Sequence, residues 1–132
     1  MDASIALTWC FEDEATPETD HLFARIRDEG AIVPDLWRLE VANVLLQAER
    51  RGRISGADVA LRLELIAALP IVVDSETTRH AWRDTLGLAR SERLTSYGAA
   101  YLELAIRGGT PLATRDRELA DAAKRRGVAV LP

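Results

Sequence analysis

Gly30-Ala31-Ile32-Val33-Pro34-Asp35-Leu36-Trp37-Arg38-Leu39-Glu40-Val41 reads as a short buried strand handed directly to a helix. Gly30 stops the preceding helix, and Pro34 ends the apolar run. Asp35 offers a cap for a helix running to about Arg51, whose stripe Trp37, Val41, Val44, Leu45 and Ala48 keeps helical spacing. The same unit repeats along the chain. Pro17 to Glu29 is expected to be a helix capped by Thr16, with Leu22, Phe23 and Ile26 on one face. Ser55 caps a helix over 57–68, Pro70 closes it, and Ile71-Val72-Val73 is the second strand. Ser75 is expected to cap a helix to about Arg90. A further helix runs from Thr95 or Ser96 to Arg107 and ends at Gly108-Gly109. Pro111-Leu112-Ala113-Thr114 is the third strand, about 117–126 the last helix, and Val128 to Leu131 the final strand. Short apolar strands between helices imply an α/β fold with a parallel sheet covered on both faces. A strand ahead of Asp2 is expected as well, of which the sequence holds Met1 alone.

Bulk properties narrow the class. With 132 residues, the chain is expected to form one domain with a real core, and 48% hydrophobic with 29% charged residues is the balance of a water-soluble globule. No apolar run is long enough for a bilayer, and no leader pattern follows Met1. The one cysteine, Cys10, rules out an internal disulfide, fits a reducing cytoplasm, and lies in an apolar segment that makes it a core thiol. His21 and His80 are solitary, without zinc-ligand spacing. A net charge of −4 argues against holding nucleic acid by a broad positive field. It leaves room for a nuclease, because divalent cations reverse the sign of an acidic pocket and arginines grip phosphates. Trp9, Trp37 and Trp82 are expected in the core.

Three carboxylates stand next to apolar segments. Glu40 falls on or beside the helix stripe, where a lone carboxylate must be paired, protonated or metal-bound. Its bland reading is an ion pair with Arg38 or Arg79, and the two readings weigh about evenly. Asp116 follows a strand and precedes a helix, so it can cap that helix or point into the crevice at the strand ends, with Thr114 available to orient it. Asp2 with Ser4 could be no more than a helix start, or an ion ligand with a supporting hydroxyl. Gly98 shares a helix face with Leu102 and Ala105. Nothing local requires glycine there, and close packing is the bland explanation.

Together these segments resemble a PIN domain, and more narrowly the VapC-type toxins of bacterial toxin–antitoxin pairs. Asp2-Ala3-Ser4-Ile5-Ala6-Leu7-Thr8-Trp9 resembles the opening motif. Pro34-Asp35-Leu36-Trp37 leading to Glu40-Val41-Ala42-Asn43 resembles the second, Leu94 to Ala105 the third, and Pro111 to Asp116 the fourth. The resemblance implies an α/β/α sandwich and an endoribonuclease dependent on Mg²⁺ or Mn²⁺. Asp2, Glu40 and Asp116 would form the acidic catalytic and metal-binding site, and Ser4, Asn43 and Thr114 would support ligands or orient substrate. Family members usually carry aspartate where this chain has Gly98, which implies weaker metal binding and impaired cleavage. The resemblance also implies RNA as substrate, a cognate antitoxin covering the site, and a homodimer. The alternative function is a non-catalytic PIN-like module that binds an antitoxin or RNA without cutting it. A phosphoacceptor receiver-like domain is disfavoured, because Glu40 lies on a helix and no lysine follows a late strand suitably.

Overall fold

The computed structural model describes residues Met1–Pro132. Thr16 caps helix α2 (Pro17–Glu29) through a reciprocal pair of hydrogen bonds with Thr19, and Gly30 leaves it at φ +81°. Strand β1 (Ala31–Pro34) follows, then helix α3 (Trp37–Arg50). Helix α4 (Gly56–Ala67) starts from the Ser55 hydroxyl, which accepts the Asp58 N–H. Strand β2 (Ile71–Asp74) pairs parallel to β1, with Ala31 opposite Ile71 and Val33 opposite Val73. Helix α7 (Ser96–Gly108) is capped by Thr95, and helix α8 (Arg117–Arg125) by Asp116. Between those two, the short strand β3 (Leu112–Ala113) pairs parallel to the equally short terminal strand β4 (Val130–Leu131).

The sheet comes in two halves, β1 with β2 and β3 with β4. Met1 and Asp2 run between them. The Met1 ammonium donates to the Ile32 carbonyl at 3.3 Å, and the Asp2 N–H donates to the Ala113 carbonyl at 2.9 Å. Helix α1 (Ala3–Thr8) then leaves the seam. Ile5, Leu45, Leu102, Leu112 and Leu119 lie almost wholly out of water at the centre of one core. On the β1–β2 half one face is partly open, since the paired residues Ile32 and Val72 are exposed, Val72 at 62%.

Two expected caps are absent. Helix α3 has Leu36 at its N-cap, and Asp35 instead uses its backbone N–H to reach the Thr77 hydroxyl at 3.1 Å. Ser75 caps nothing. The expected single helix after β2 is three pieces: α5 (Thr77–His80), a π turn over Ala81–Thr85, and α6 (Leu86–Glu92). The π turn has a smaller angular step per residue than the α-helix, which shifts the apolar face, and Trp82 lies off the face that Thr85 and Ala89 share. Trp82 is 90% exposed, which corrects its placement in the core, whereas Trp37 is buried and Trp9 meets Phe23 edge-on at 5.1 Å. Cys10 is buried, with its thiol directed at the Ala6 carbonyl, and burial pushes it up to about 11; it holds its proton as a core thiol.

Burial at the seam lowers the Met1 ammonium from 8.0 to about 6, against the opposing pull of Asp2. Between those two values the unfolded chain binds more protons at this amine than the folded one, so stability rises with pH across that window. Unfolding free energies from urea titrations between pH 6 and pH 8 are expected to climb by an amount on the order of 2 kcal/mol. N-terminal acetylation should abolish the climb.

Candidate active site

Asp2 is buried at the N-cap of α1, and each of its oxygens is held by a hydroxyl. Oδ1 accepts the Ser4 N–H at 2.8 Å and the Ser4 hydroxyl, and Oδ2 accepts the Thr114 hydroxyl. Those hydroxyls are themselves fixed by the loop after β3. Ser4 Oγ accepts the Arg115 N–H at 2.9 Å, and Thr114 Oγ1 accepts the Asp116 N–H at 3.0 Å. Thr114 therefore orients Asp2 across the seam. It meets Asp116 only through the backbone, where an orienting bond to the Asp116 carboxyl is expected from sequence.

Asp116 caps α8, with Oδ1 accepting the Leu119 N–H at 3.1 Å. Capping uses that oxygen, and the residue also lines the cleft, so the two readings of Asp116 coexist. Glu40, in the first turn of α3, accepts a hydrogen bond from the Tyr101 hydroxyl on α7. No arginine pairs with it: Arg79 goes to Glu76 at 3.0 Å, and Arg38 makes no ion pair. Burial raises the Glu40 carboxyl above its ordinary range, the Tyr101 donor opposes that shift, and nearby Asp2 adds to it.

Asp2, Glu40 and Asp116 line one cleft together with Ser4, Asn43, Gly98 and Tyr101. Thr114 supports the cleft from behind, through Asp2. Gly98 is not a site of close packing. A Cβ there would meet Thr95 Oγ1 at 3.4 Å and Leu94 Cβ at 4.0 Å, ordinary contacts on an unstrained helix. An aspartate would fit, facing the cleft from α7. Tyr101 is the residue that sequence reading passed over. It falls on the apolar face of α7, three residues after Gly98, where its hydroxyl is invisible to hydrophobic spacing.

The other sheltered carboxylates are treated differently. Asp74 and Glu103 share Arg107, which reaches Asp74 at 2.7 Å and Glu103 at 2.8 Å and holds the Asp74 carboxyl below its usual range. Glu92 is gripped by Arg125 and Arg126. Histidine and carboxylate ligand atoms gather within 4.8 Å of one another at His80, Asp84 and Glu103, but there Arg107 already serves as cation to both Glu103 oxygens. In the Asp2–Glu40–Asp116 cleft every donor is a neutral hydroxyl or amide. This set of hard oxygens without a protein cation fits a divalent ion of the Mg²⁺ or Mn²⁺ kind.

A buried carboxylate with a raised folded-state pKa costs stability once it is ionised. The Glu40→Gln variant is expected to melt higher than the unaltered protein at pH 7 without divalent ions. That advantage should shrink as pH falls towards roughly 4, where the unfolded carboxylate also takes up its proton. Thermal melts across that range check the sign.

Residues 1–125 match the PIN domain family. The chain is 27% identical over 121 residues to Ribonuclease VapC3 of Pyrobaculum aerophilum, a match covering 92% of this chain and 91% of that one. The crystal structure of PAE2754 from Pyrobaculum aerophilum shares the fold with a TM-score of 0.70, covering 98% of this chain and 85% of the other at 24% sequence identity. The α/β fold, the acid-lined cleft at the seam and a family match spanning nearly the whole chain lead to one conclusion: the chain belongs to the PIN-domain family.

Proposed function

We propose that this protein is a divalent-metal-dependent endoribonuclease of the VapC toxin type, impaired at Gly98. The observation that carries this reading is the cleft itself: three carboxylates from three parts of the chain, none paired with a protein cation. Asp2 and Glu40 would hold Mg²⁺ or Mn²⁺, with Asp116 beside them. A bound ion would supply Lewis-acid stabilisation of the phosphate and an acidified water. Asp2 enters that role already immobilised, because Ser4 and Thr114 fix its carboxylate from both sides. Asn43 stands on the cleft wall, in reach of a substrate phosphate or base. RNA is the proposed substrate by analogy with the ribonuclease relative. A cognate antitoxin that neutralises the cleft, a homodimer and a cytoplasmic location belong to the same reading. No helix is long and apolar enough to cross a membrane.

Gly98 weighs on activity. At that position α7 presents no carboxylate to the cleft, so one ion ligand and one negative charge are missing. The same residue favours a second reading, a PIN-domain module that binds an antitoxin or RNA without cleaving it.

The Gly98→Asp variant separates the two. It should fold as well as the unaltered chain, bind Mn²⁺ more tightly by roughly tenfold or more, and cleave structured RNA in the presence of Mn²⁺ or Mg²⁺. Calorimetric titration and a gel-based cleavage assay read these outcomes. Tight Mn²⁺ binding with no cleavage, together with retained binding of an antitoxin peptide, would favour the non-catalytic module. Asp2→Asn should abolish Mn²⁺ uptake, and unchanged uptake would remove the cleft from consideration.

A further inference from the structure

Tyr101 is 4% exposed, yet its hydroxyl reaches the acid cleft. The same residue lines the apolar cavity behind the cleft, alongside Leu22, Ile26, Leu104 and Leu112. The ring thus forms the partition between an oily interior and the carboxylates, with its one polar atom turned to the polar side. The hydroxyl donates to Glu40 Oε2. One side chain therefore ties α7 to α3.

Glu40 has no other partner to fix it. Asp2 has Ser4 and Thr114, Asp116 has its own helix amide, and Glu40 has Tyr101 alone. A glutamate has a long and mobile side chain, and holding one of its oxygens sets the direction of the other.

We propose that Tyr101 is the positioning residue of the site, bonding one oxygen of Glu40 so that the other faces the cation held with Asp2. The inference rests on the metal-site reading above. It gains weight in this chain because Gly98 leaves Asp2 and Glu40 as the two sheltered ligands, and any slack in Glu40 acts on a depleted set.

The test measures Mn²⁺ affinity by calorimetric titration in the Tyr101→Phe variant, made in both the unaltered chain and the Gly98→Asp background. Phenylalanine keeps the ring and removes the donor. Mn²⁺ affinity is expected to fall about tenfold in at least the Gly98→Asp background. Leu102→Ala, at the neighbouring fully buried position, serves as the control for destabilisation alone and should leave affinity within twofold at a temperature where it is folded. Affinity within twofold of the parent for Tyr101→Phe, or an equal loss in Leu102→Ala, would overturn the proposal. If Asp2→Asn leaves Mn²⁺ uptake untouched, the cation lies elsewhere and the site reading fails first, taking this inference with it. Should Tyr101→Phe not fold, the phenolic proton of the unsubstituted chain gives the answer by NMR under Mg²⁺ titration. It should stay slow to exchange as Mg²⁺ saturates. Its loss to fast exchange on binding would show that Glu40 leaves Tyr101, and would overturn the proposal.

Discussion

A buried carboxylate with no arginine or lysine paired to it is the constraint around which this molecule is arranged. Asp2 sits out of water at the seam of a divided sheet, and desolvating a charge there is tolerable only because donors surround it. Those donors come from both ends of the chain: Ser4 at the start, Thr114 just past the third strand. Each hydroxyl is in turn aimed by a backbone amide of the loop leading into α8. The half-sheets meet at Met1 and Asp2, so the atoms that join the fold are also the atoms that build the cleft.

The contrast with the rest of the protein gives the cleft its meaning. Elsewhere the fold shelters a carboxylate by giving it an arginine, as at Asp74, Glu92 and Glu103. At the seam it uses hydroxyls, which hold a carboxylate in place while leaving its charge uncompensated. A surplus of negative charge in a sheltered pocket is costly for the isolated protein and favourable for whatever positive species enters. The Glu40 carboxyl is raised chiefly by burial, with the neighbouring Asp2 charge adding to it. Gly98 adds no further charge to that pocket.

Much of the architecture is legible in the sequence because it is written locally. Thr16, Ser55, Thr95 and Asp116 each cap the helix that follows them, and Gly30 and Pro34 bracket β1. Where the reading fails, a distant residue has won. Asp35 does not cap α3, because its backbone is taken up by Thr77, forty-two residues on. Trp82 is expelled to the surface by a π turn, and apolar spacing cannot see a change of helical step. The three carboxylates are visible as acidic residues in apolar settings, but their convergence is not, since the clamp on Asp2 joins positions 112 residues apart. Tyr101 stays hidden for a simpler reason: an aromatic on an apolar face looks like core, and most of it is.

The clamp on Asp2 also determines how this protein can come apart. A helix can fray and a loop can open without disturbing the remainder, but the bond from Thr114 to Asp2 exists only while the start of the chain is docked against the loop after β3. The amide hydrogen of Arg115 sits in a connecting loop, where rapid exchange with deuterium would be ordinary, yet it donates to the Ser4 hydroxyl across the seam. Its exchange requires that contact to open. A fragment that lacks either Asp2 or the loop after β3 loses the pocket, because the two build it together.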